Sequence, residues 1–418
     1  RHLEFRGYRV TQVMNLTDVD DKTIKGDIEK GVSLGDFTRE YKEAFFEDLK
    51  TLGIQPAAEY PAATEHIDGM IALIQRLLDK GLAYSSDDGS VYFSISKFPD
   101  YGKLAHLDLD GLKPGARVEQ DEYEKDHVGD FAVWKAWTEA DGDVGWDTPW
   151  GRGRPGWHIE CSAMAMEYLG ESFDIHCGGV DNIFPHHEDE IAQSEGATGK
   201  TFARFWLHNA HLIVNGAKMS KSAGNFFTLR DLLDKGFTGR EIRCVLLTGA
   251  HYRQTLNFSF DGLDAARASL QRLDEFTVRL RETAGGAEAG AVQSPAWVRQ
   301  GLEQFGAGLD DDLNISRAMA ALFDLVHDGH RALDAGELDA AGAAAVLDVL
   351  REVDRVLGFL EPSATSVPAE VEALAEQRQT ARAEKDWAEA DRLRDELAAL
   401  GWTVKDTPDG PKLARNAS

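Results

Sequence analysis

No apolar run in this 418-residue chain approaches the ~20 residues that a membrane-spanning helix needs. The first residues carry no signal-peptide pattern either. Cysteine is scarce: Cys161, Cys177 and Cys244 are too few for a disulfide framework, so a reducing, cytoplasmic setting is expected. Positive charge is in deficit, with 45 Lys and Arg against 72 Asp and Glu and a net charge of −27. That balance argues against loose, sequence-independent binding to nucleic acid. Any RNA partner must be met by local basic surface and by shape. Internal repeats and low-complexity tracts are absent. The 43% hydrophobic content is ordinary for a globular chain, and the length allows two to four domains with proper cores.

Against that background the stretch from Trp157 to Ser222 concentrates chemistry. It opens with Gly156-Trp157-His158-Ile159-Glu160-Cys161, passes through Phe184-Pro185-His186-His187-Glu188-Asp189-Glu190, and ends in Lys218-Met219-Ser220-Lys221-Ser222. Cys161, His186 and Glu190 are all zinc-ligand types. A helix after Pro185 would put His186 and Glu190 at i and i+4 on one face. Adding one thiolate from elsewhere gives three protein ligands and leaves a tetrahedral zinc one open position. From Gly196 to Arg230 there is no acidic residue, while Lys200, Arg204, Lys218, Lys221 and Arg230 are present. In so acidic a chain such a window invites phosphate.

The pattern around this stretch is α/β. Leu3, Phe5 and Tyr8 read as a helix tail, Gly7 as its stop, and residues 10–14 as a strand running into the polar segment Asn15–Lys22. Helices follow over about 36–52 and 64–80. From Ala83 to Trp150, Asp88-Gly89 between strand-like runs marks a hairpin, and short strands continue to Lys135, which predicts a β-rich insertion. Residues 157–205 resume the α/β pattern, and 206–262 hold the lysine loop. Leucines at three- and four-residue steps then predict a helical bundle over 263–360. A Pro/Ser/Thr-containing linker follows. The final segment, 368–418, reads as a helical hairpin with a terminal β-hairpin turning at Pro408-Asp409-Gly410.

Taken together, Asn15–Lys22, Thr64-Glu65-His66, Trp146–Met164, Asp174–Glu190, Lys218–Asn225 and Lys385–Asp391 resemble the cysteinyl-tRNA synthetase family of class I aminoacyl-tRNA synthetases over essentially the whole chain. The resemblance implies a Rossmann-like catalytic domain with a β-rich insertion, a stem-contact region, a helical bundle and a C-terminal anticodon-binding module. It implies one Zn2+ on Cys161, His186 and Glu190, completed by the substrate thiol, and Mg2+ accompanying ATP. Thr17, Trp157 and Asp181 would meet cysteine. Lys218 and Lys221 would be catalytic, within an ATP-binding loop that also includes Met219, Ser220 and Ser222. The implied partners are ATP, L-cysteine and tRNA(Cys), with the protein acting as a cytoplasmic monomer. The chain departs from the family in three places. No Cys precedes Cys161, the His-Ile-Gly-His signature is absent, and Cys177 stands where Gly is usual. The family's first zinc-ligand Cys and its signature are therefore expected upstream of Arg1, and residues 1–418 alone are expected to form no adenylate. Asp311-Asp312-Leu313-Asn314 matches the family, although Ile315 is an unusual follower. Two other functions share part of the pattern: a cysteine ligase acting on an amino sugar, and a non-catalytic tRNA-binding paralogue.

Overall fold

The computed structural model describes residues 1–107, 129–289, 294–361, 369–400, 402–407 and 410–415. It divides into two compact units, Arg1–Glu361 and Pro362–Ser418. Among the described residues no helix is long and apolar enough to cross a membrane.

The first unit opens with a short helix, α1 (His2–Phe5), closed by Gly7 at φ +84°. The strand expected at 10–14 is not a continuous ladder. Two isolated parallel bridges, Val13 with Glu59 and Leu16 with Ala62, take its place. Both lie in one register, and in that register Pro61 falls between them. Proline has no N–H to give, so the ladder is interrupted there. Leu16 N–H still donates to Pro61 O at 2.8 Å, and Ala63 N–H to Leu16 O at 3.0 Å. The segment then enters α2 (Asp21–Lys30). Its N-terminus is closed reciprocally, as the Asp20 carboxylate accepts from Thr23 N–H at 2.6 Å and Asp20 N–H donates to Thr23 Oγ1 at 2.8 Å. Next come α3 (Leu34–Thr51) and α4 (Ile67–Asp79). The latter buries Ile67, Met70, Leu73, Ile74 and Leu77 on one stripe.

The β-rich segment is an antiparallel sheet of five strands, ordered β1-β2-β3-β5-β4. They are β1 (Ala83–Ser85), β2 (Val91–Phe93), β3 (Phe131–Ala136), β4 (Trp146–Thr148) and β5 (Gly151–Pro155). Gly89, at φ +91°, supplies the left-handed residue between β1 and β2 that Asp88-Gly89 suggested. Phe93 stacks on Phe131 with centroids 5.1 Å apart. These rings share a core with Met70, Ile74 and Leu77 of α4 and with Ile159 and Met164 of α5 (Trp157–Leu169). Gly156 joins β5 to α5 at a place where a Cβ would collide with Ala132 O, so only glycine lets the chain pass.

After α5 the fold alternates strand and helix. β6 (Phe173–Gly179) and β7 (Ala203–Asn209) pair in parallel, with α6 (Glu188–Thr198) in the connection between them. A smaller sheet, ordered β10-β8-β9, follows from β8 (Leu212–Val214), β9 (Ala217–Lys218) and β10 (Leu256–Phe258). Between β9 and β10 lie α7 (Leu229–Asp234) and α8 (Gly239–Thr248). The remainder of the unit is helical: α9 (Phe260–Ala284), α10 (Ala296–Asp310), α11 (Ile315–Asp334) and α12 (Ala340–Leu357). Leu263, Leu270, Phe276, Leu322, Leu325, Val346 and Leu357 build one core, which extends to Ile242 and Val245 of α8. The expected bundle is thus present.

The second unit holds α13 (Ala369–Ala383), α14 (Trp387–Ala399) and the antiparallel strands β11 (Trp402–Thr407) and β12 (Gly410–Arg415). Val371, Ala375, Leu397, Trp402 and Val404 form its own core. Pro408 and Asp409 of the expected turn, the linker at 362–368 and part of the insertion (108–128) lie outside the described residues.

Candidate active site and metal centre

Three elements bring the zinc-type side chains together. Cys161 sits in the second turn of α5, and Glu190 in the first turn of α6. His186 lies in the wide turn Ile183–His187 that leads into α6. The helix thus begins later than Pro185 suggested, but the i,i+4 pair survives: His186 Nε2 is 2.9 Å from Glu190 Oε1. One ligand atom each from Cys161, His186 and Glu190 falls within 4.8 Å of the others. His186 and Glu190 are buried. Asn15, on the polar segment after the first bridge, donates Nδ2–H to Cys161 Sγ at 3.4 Å.

The electrostatics suit a cation. Burial, reinforced by the charges of Glu190 and Glu160, pushes the Cys161 thiol well above its usual range. Burial would also raise Glu190, but the imidazoles of His176 and His186 outweigh it and hold that carboxyl well below the ordinary range. Glu190 Oε1 is buried, and the His186 Nε2 that lies 2.9 Å from it is out of line for a hydrogen bond. A buried carboxylate oxygen facing an imidazole nitrogen and a thiol fits a soft-to-borderline divalent ion such as zinc. Glu160, 1% exposed, is pushed well up by burial and by the charges of Asp18 and Asp20.

Sequence reasoning missed the imidazoles that surround this centre. His158 Nδ1 lies 2.9 Å from His186 Nδ1, and His158 Nε2 lies 3.4 Å from Asp189 Oδ2. On the other side Glu190 Oε2 meets His176 Nε2 at 2.8 Å, and His187 Nδ1 meets His208 Nε2 at 2.8 Å. His176, His187 and Glu190 form a second group with ligand atoms within 4.8 Å. Burial is the main cause holding the His187 imidazole down at about 3, so it is neutral. The β6–β7 register explains the gathering: His176 pairs with Trp206 and Gly178 with His208, so both histidines project from one face of the strands. A Cβ on Gly178 would lie 2.5 Å from His187 Cε1, so glycine leaves room for that ring. A signal existed in the sequence, as His176 and His208 sit in strand-like runs, but their pairing depends on register.

Of the residues expected to meet cysteine, Trp157 joins the cluster. It stacks on His186 with centroids 4.1 Å apart and an interplanar angle of 27°, while 39% exposed. Thr17 is exposed two residues beyond Asn15, and Asp181 is exposed in the turn after β6. Among the described residues neither makes a hydrogen bond or ion pair to the three zinc-type side chains. Cys177 is exposed on β6 and lies outside both ligand groups.

The lysine loop leaves β9 at Lys218. Asn225 closes it on both sides, as its Oδ1 accepts from Ser220 N–H at 2.9 Å and its Nδ2–H donates to Lys218 O at 3.1 Å. Ser220 Oγ accepts from Ala223 N–H at 3.2 Å, and Gly224 takes φ +66°. Met219 packs on the helical core, whereas Lys218, Lys221 and Ser222 are exposed. Among the described residues neither lysine is ion-paired, so both ammonium groups remain available to an anion. Lys221 Nζ rests 5.5 Å from the centre of the Phe226 ring.

A parallel α/β core, an antiparallel insertion and an unpaired Lys-Met-Ser-Lys-Ser loop define a class I aminoacyl-tRNA synthetase. The profile of "tRNA synthetases class I (C) catalytic domain" matches residues 1–268, "DALR domain" residues 304–361, and "Cysteinyl-tRNA ligase anticodon binding domain" residues 364–411. The fold is similar to that of Mycobacterium tuberculosis methionyl-tRNA synthetase, solved in complex with methionyl-adenylate. The TM-score is 0.63 at 15% identity, over 86% of this chain and 84% of that one. Among sequence relatives, the cysteine–tRNA ligase of Protochlamydia amoebophila is 50% identical over 420 residues, and that of Chlamydia pneumoniae 52% over 416. Each alignment covers 99% of this chain and 87% of the relative. The chain belongs to the cysteine–tRNA ligase family.

Proposed function

We propose that the protein joins L-cysteine to tRNA(Cys) at the expense of ATP, through a cysteinyl-adenylate, as a cytoplasmic monomer. The observation that carries this reading is the convergence of Cys161, His186 and Glu190 beside Trp157, in a chain about half identical to cysteine–tRNA ligases. Cys161, His186 and Glu190 would hold one Zn2+. When bound, zinc supplies an acceptor that bonds a thiol far better than a hydroxyl, so serine is refused for want of a bond. Such discrimination makes a separate editing step unnecessary.

The chain's own groups do the rest. Trp157 walls the amino-acid site, with Thr17 and Asp181 as its polar contacts, Asp181 toward the amino group. The cysteine carboxylate attacks the α-phosphorus of Mg2+-bound ATP and pyrophosphate leaves. Lys218 and Lys221 neutralise charge gathering on the phosphates, a positional and electrostatic catalysis with no covalent nucleophile. The cysteinyl group then passes from AMP to the terminal ribose of the tRNA. The match of the C-terminal unit to an anticodon-binding domain supports a tRNA acceptor over an amino sugar. The two unpaired lysines speak against a non-catalytic paralogue.

Cysteine-dependent exchange of pyrophosphate into ATP by the full-length protein tests the reading, run beside serine and beside Lys221→Ala. Exchange with cysteine alone is expected, with Lys221→Ala slower by roughly 10²–10³, the scale for losing a donor to transition-state charge. Equal exchange with serine would sink the selectivity argument, and an unaffected Lys221→Ala the role of the loop.

A further inference from the structure

The turn between α10 and α11 takes no part in the site described above, yet its backbone stands out. Asp312 and Leu313 have φ +52° and +56°. Nowhere else among the described residues do two successive non-glycine residues adopt the left-handed region. The tight reversal explains the geometry. Leu313 N–H donates to Leu309 O at 3.0 Å, Asn314 N–H donates to Gly308 O at 3.1 Å, and Asn314 Oδ1 caps α11 through Arg317 N–H at 3.2 Å. Gly308 lets the helices close, since a Cβ there would lie 2.7 Å from Ala318 N.

On backbone grounds glycine or asparagine would serve better at 312. Aspartate is present, and three consecutive residues converge on it. Tyr252 OH donates to Asp312 Oδ1 at 2.6 Å. Arg253 donates from Nε to Oδ2 at 2.5 Å and from Nη2 to Oδ1 at 3.3 Å, and His251 Nε2 lies 2.8 Å from Asp312 O. The Arg253 and Asp312 side chains are 65% and 46% exposed, so the ion pair adds little stability. What it fixes is position, and an outlier held by such a cluster points to a functional constraint.

The cluster leads by continuous hydrogen bonding to the lysine loop. Tyr252 O accepts from Ala210 N–H at 2.8 Å, and Leu256 N–H donates to His211 O at 3.0 Å. β10 then pairs with β8 from Leu256–Leu212 to Phe258–Val214, and β8 pairs with β9 at Ile213–Lys218. Asn257 Oδ1 accepts from Gly216 N–H at 2.8 Å, and Asn215 N–H donates to Phe258 O at 3.0 Å, so β10 holds the β8–β9 turn from beneath. We propose that Asp312 is a positioning residue for the lysine loop: through Tyr252 and Arg253 it ties the α10–α11 turn to the strand that seats Lys218 and Lys221. The helical bundle thereby sets where the two ammonium groups stand. The catalytic half of the claim rests on the loop acting as the ATP clamp. The mechanical half does not.

The informative variant is Asp312→Gly, which removes the carboxylate while relieving the backbone. Asp312→Asn keeps one acceptor oxygen in place and tolerates the same φ. Limited trypsin digestion read by mass spectrometry reports cleavage after the exposed Lys218 and Lys221. Melting temperature and pyrophosphate exchange of the full-length protein are measured alongside, with Lys221→Ala as the control. In Asp312→Gly, cleavage at the loop should rise several-fold with an unchanged melting temperature. kcat for exchange should fall roughly ten- to a hundredfold, the order for misplacing a catalytic group by about 1 Å, and Asp312→Asn should remain near wild type. Unchanged loop cleavage in Asp312→Gly overturns the proposal. So does a lowered melting temperature with faster cleavage throughout the chain, because Asp312 would then be merely structural. If the loop loosens but Lys221→Ala exchanges normally, the tie stands and the clamp reading falls.

Discussion

At the scale of single residues, the centre around Glu190 is a problem of charge held without solvent. A fully buried carboxylate is tolerable only when cations or donors surround it, and here imidazoles do so on two sides. The thiol of Cys161 faces that carboxylate, an arrangement unfavourable to an ionised thiol until a metal intervenes. Cys161→Ser should therefore lose most of its zinc while keeping its fold, because serine matches the thiol in shape but is a poor zinc ligand. Metal analysis of purified protein, with circular dichroism as the control for folding, checks this. Full retention of zinc would remove Cys161 from the site. The His186–Glu190 pair was readable as an i,i+4 spacing. The stack of Trp157 on His186 and the ring of four other histidines were not, since neither follows from local spacing.

At the scale of elements, what was legible followed burial. α4 and α9 announced themselves by apolar stripes, and the β1–β2 hairpin by a glycine in the left-handed region. α2 was overlooked because its body is polar: Ile24 and Asp27 are its buried residues, and only the Asp20–Thr23 cap marked its start. Strand 10–14 was overread, because a short β-rich run suggests a strand but cannot provide the N–H that Pro61 lacks. The polar α2 is anchored by charge instead. Arg154 of β5 binds Asp21 and, at 2.8 Å, Asp141, while Lys135 Nζ lies 3.4 Å from Asp21. Burial would raise the Asp21 carboxyl, but Lys135 and Arg154 outweigh it and hold it below its ordinary value of 3.8. A carboxyl depressed in the folded state contributes stability above its unfolded pKa, and loses it as pH falls through the folded one. The stability gap between wild type and Asp21→Asn, measured by urea titration, should thus be constant near neutrality and shrink below about pH 4. A gap that widens in acid would contradict the assignment.

At the scale of the whole molecule, two units with separate cores divide the labour. Leu397 is fully buried in the core of the second unit, with Val371, Ala375, Trp402 and Val404. Truncating a buried leucine costs about 2–5 kcal/mol, a large part of what so small a unit can muster. Leu397→Ala should therefore unfold that unit alone. In the full-length protein, pyrophosphate exchange, a reaction of the first unit, should persist, while charging of tRNA falls. Loss of both activities together would mean that the units do not fold independently.

The unpaired Lys218 and Lys221 have a kinetic consequence for encounter in solution. In the fold the other cations of their window are paired, Lys200 with Glu171, Arg204 with Asp174 and Arg230 with Glu47 and Asp48. These two lysines thus face the incoming polyanionic tRNA from a molecule whose net charge is −27. At low ionic strength the long-range field of the body repels what the local surface attracts. Counterions shorten the reach of both, to a Debye length of about 10 Å at 0.1 M and about 30 Å at 0.01 M. Repulsion summed over distance is erased first, and close contacts survive longer. The association rate should therefore rise as salt is raised from ~0.01 to ~0.1 M, whereas steered protein–nucleic acid encounters slow down. Stopped-flow mixing across that range reads the sign directly, and a monotonic fall would mean that the basic surface governs approach from afar.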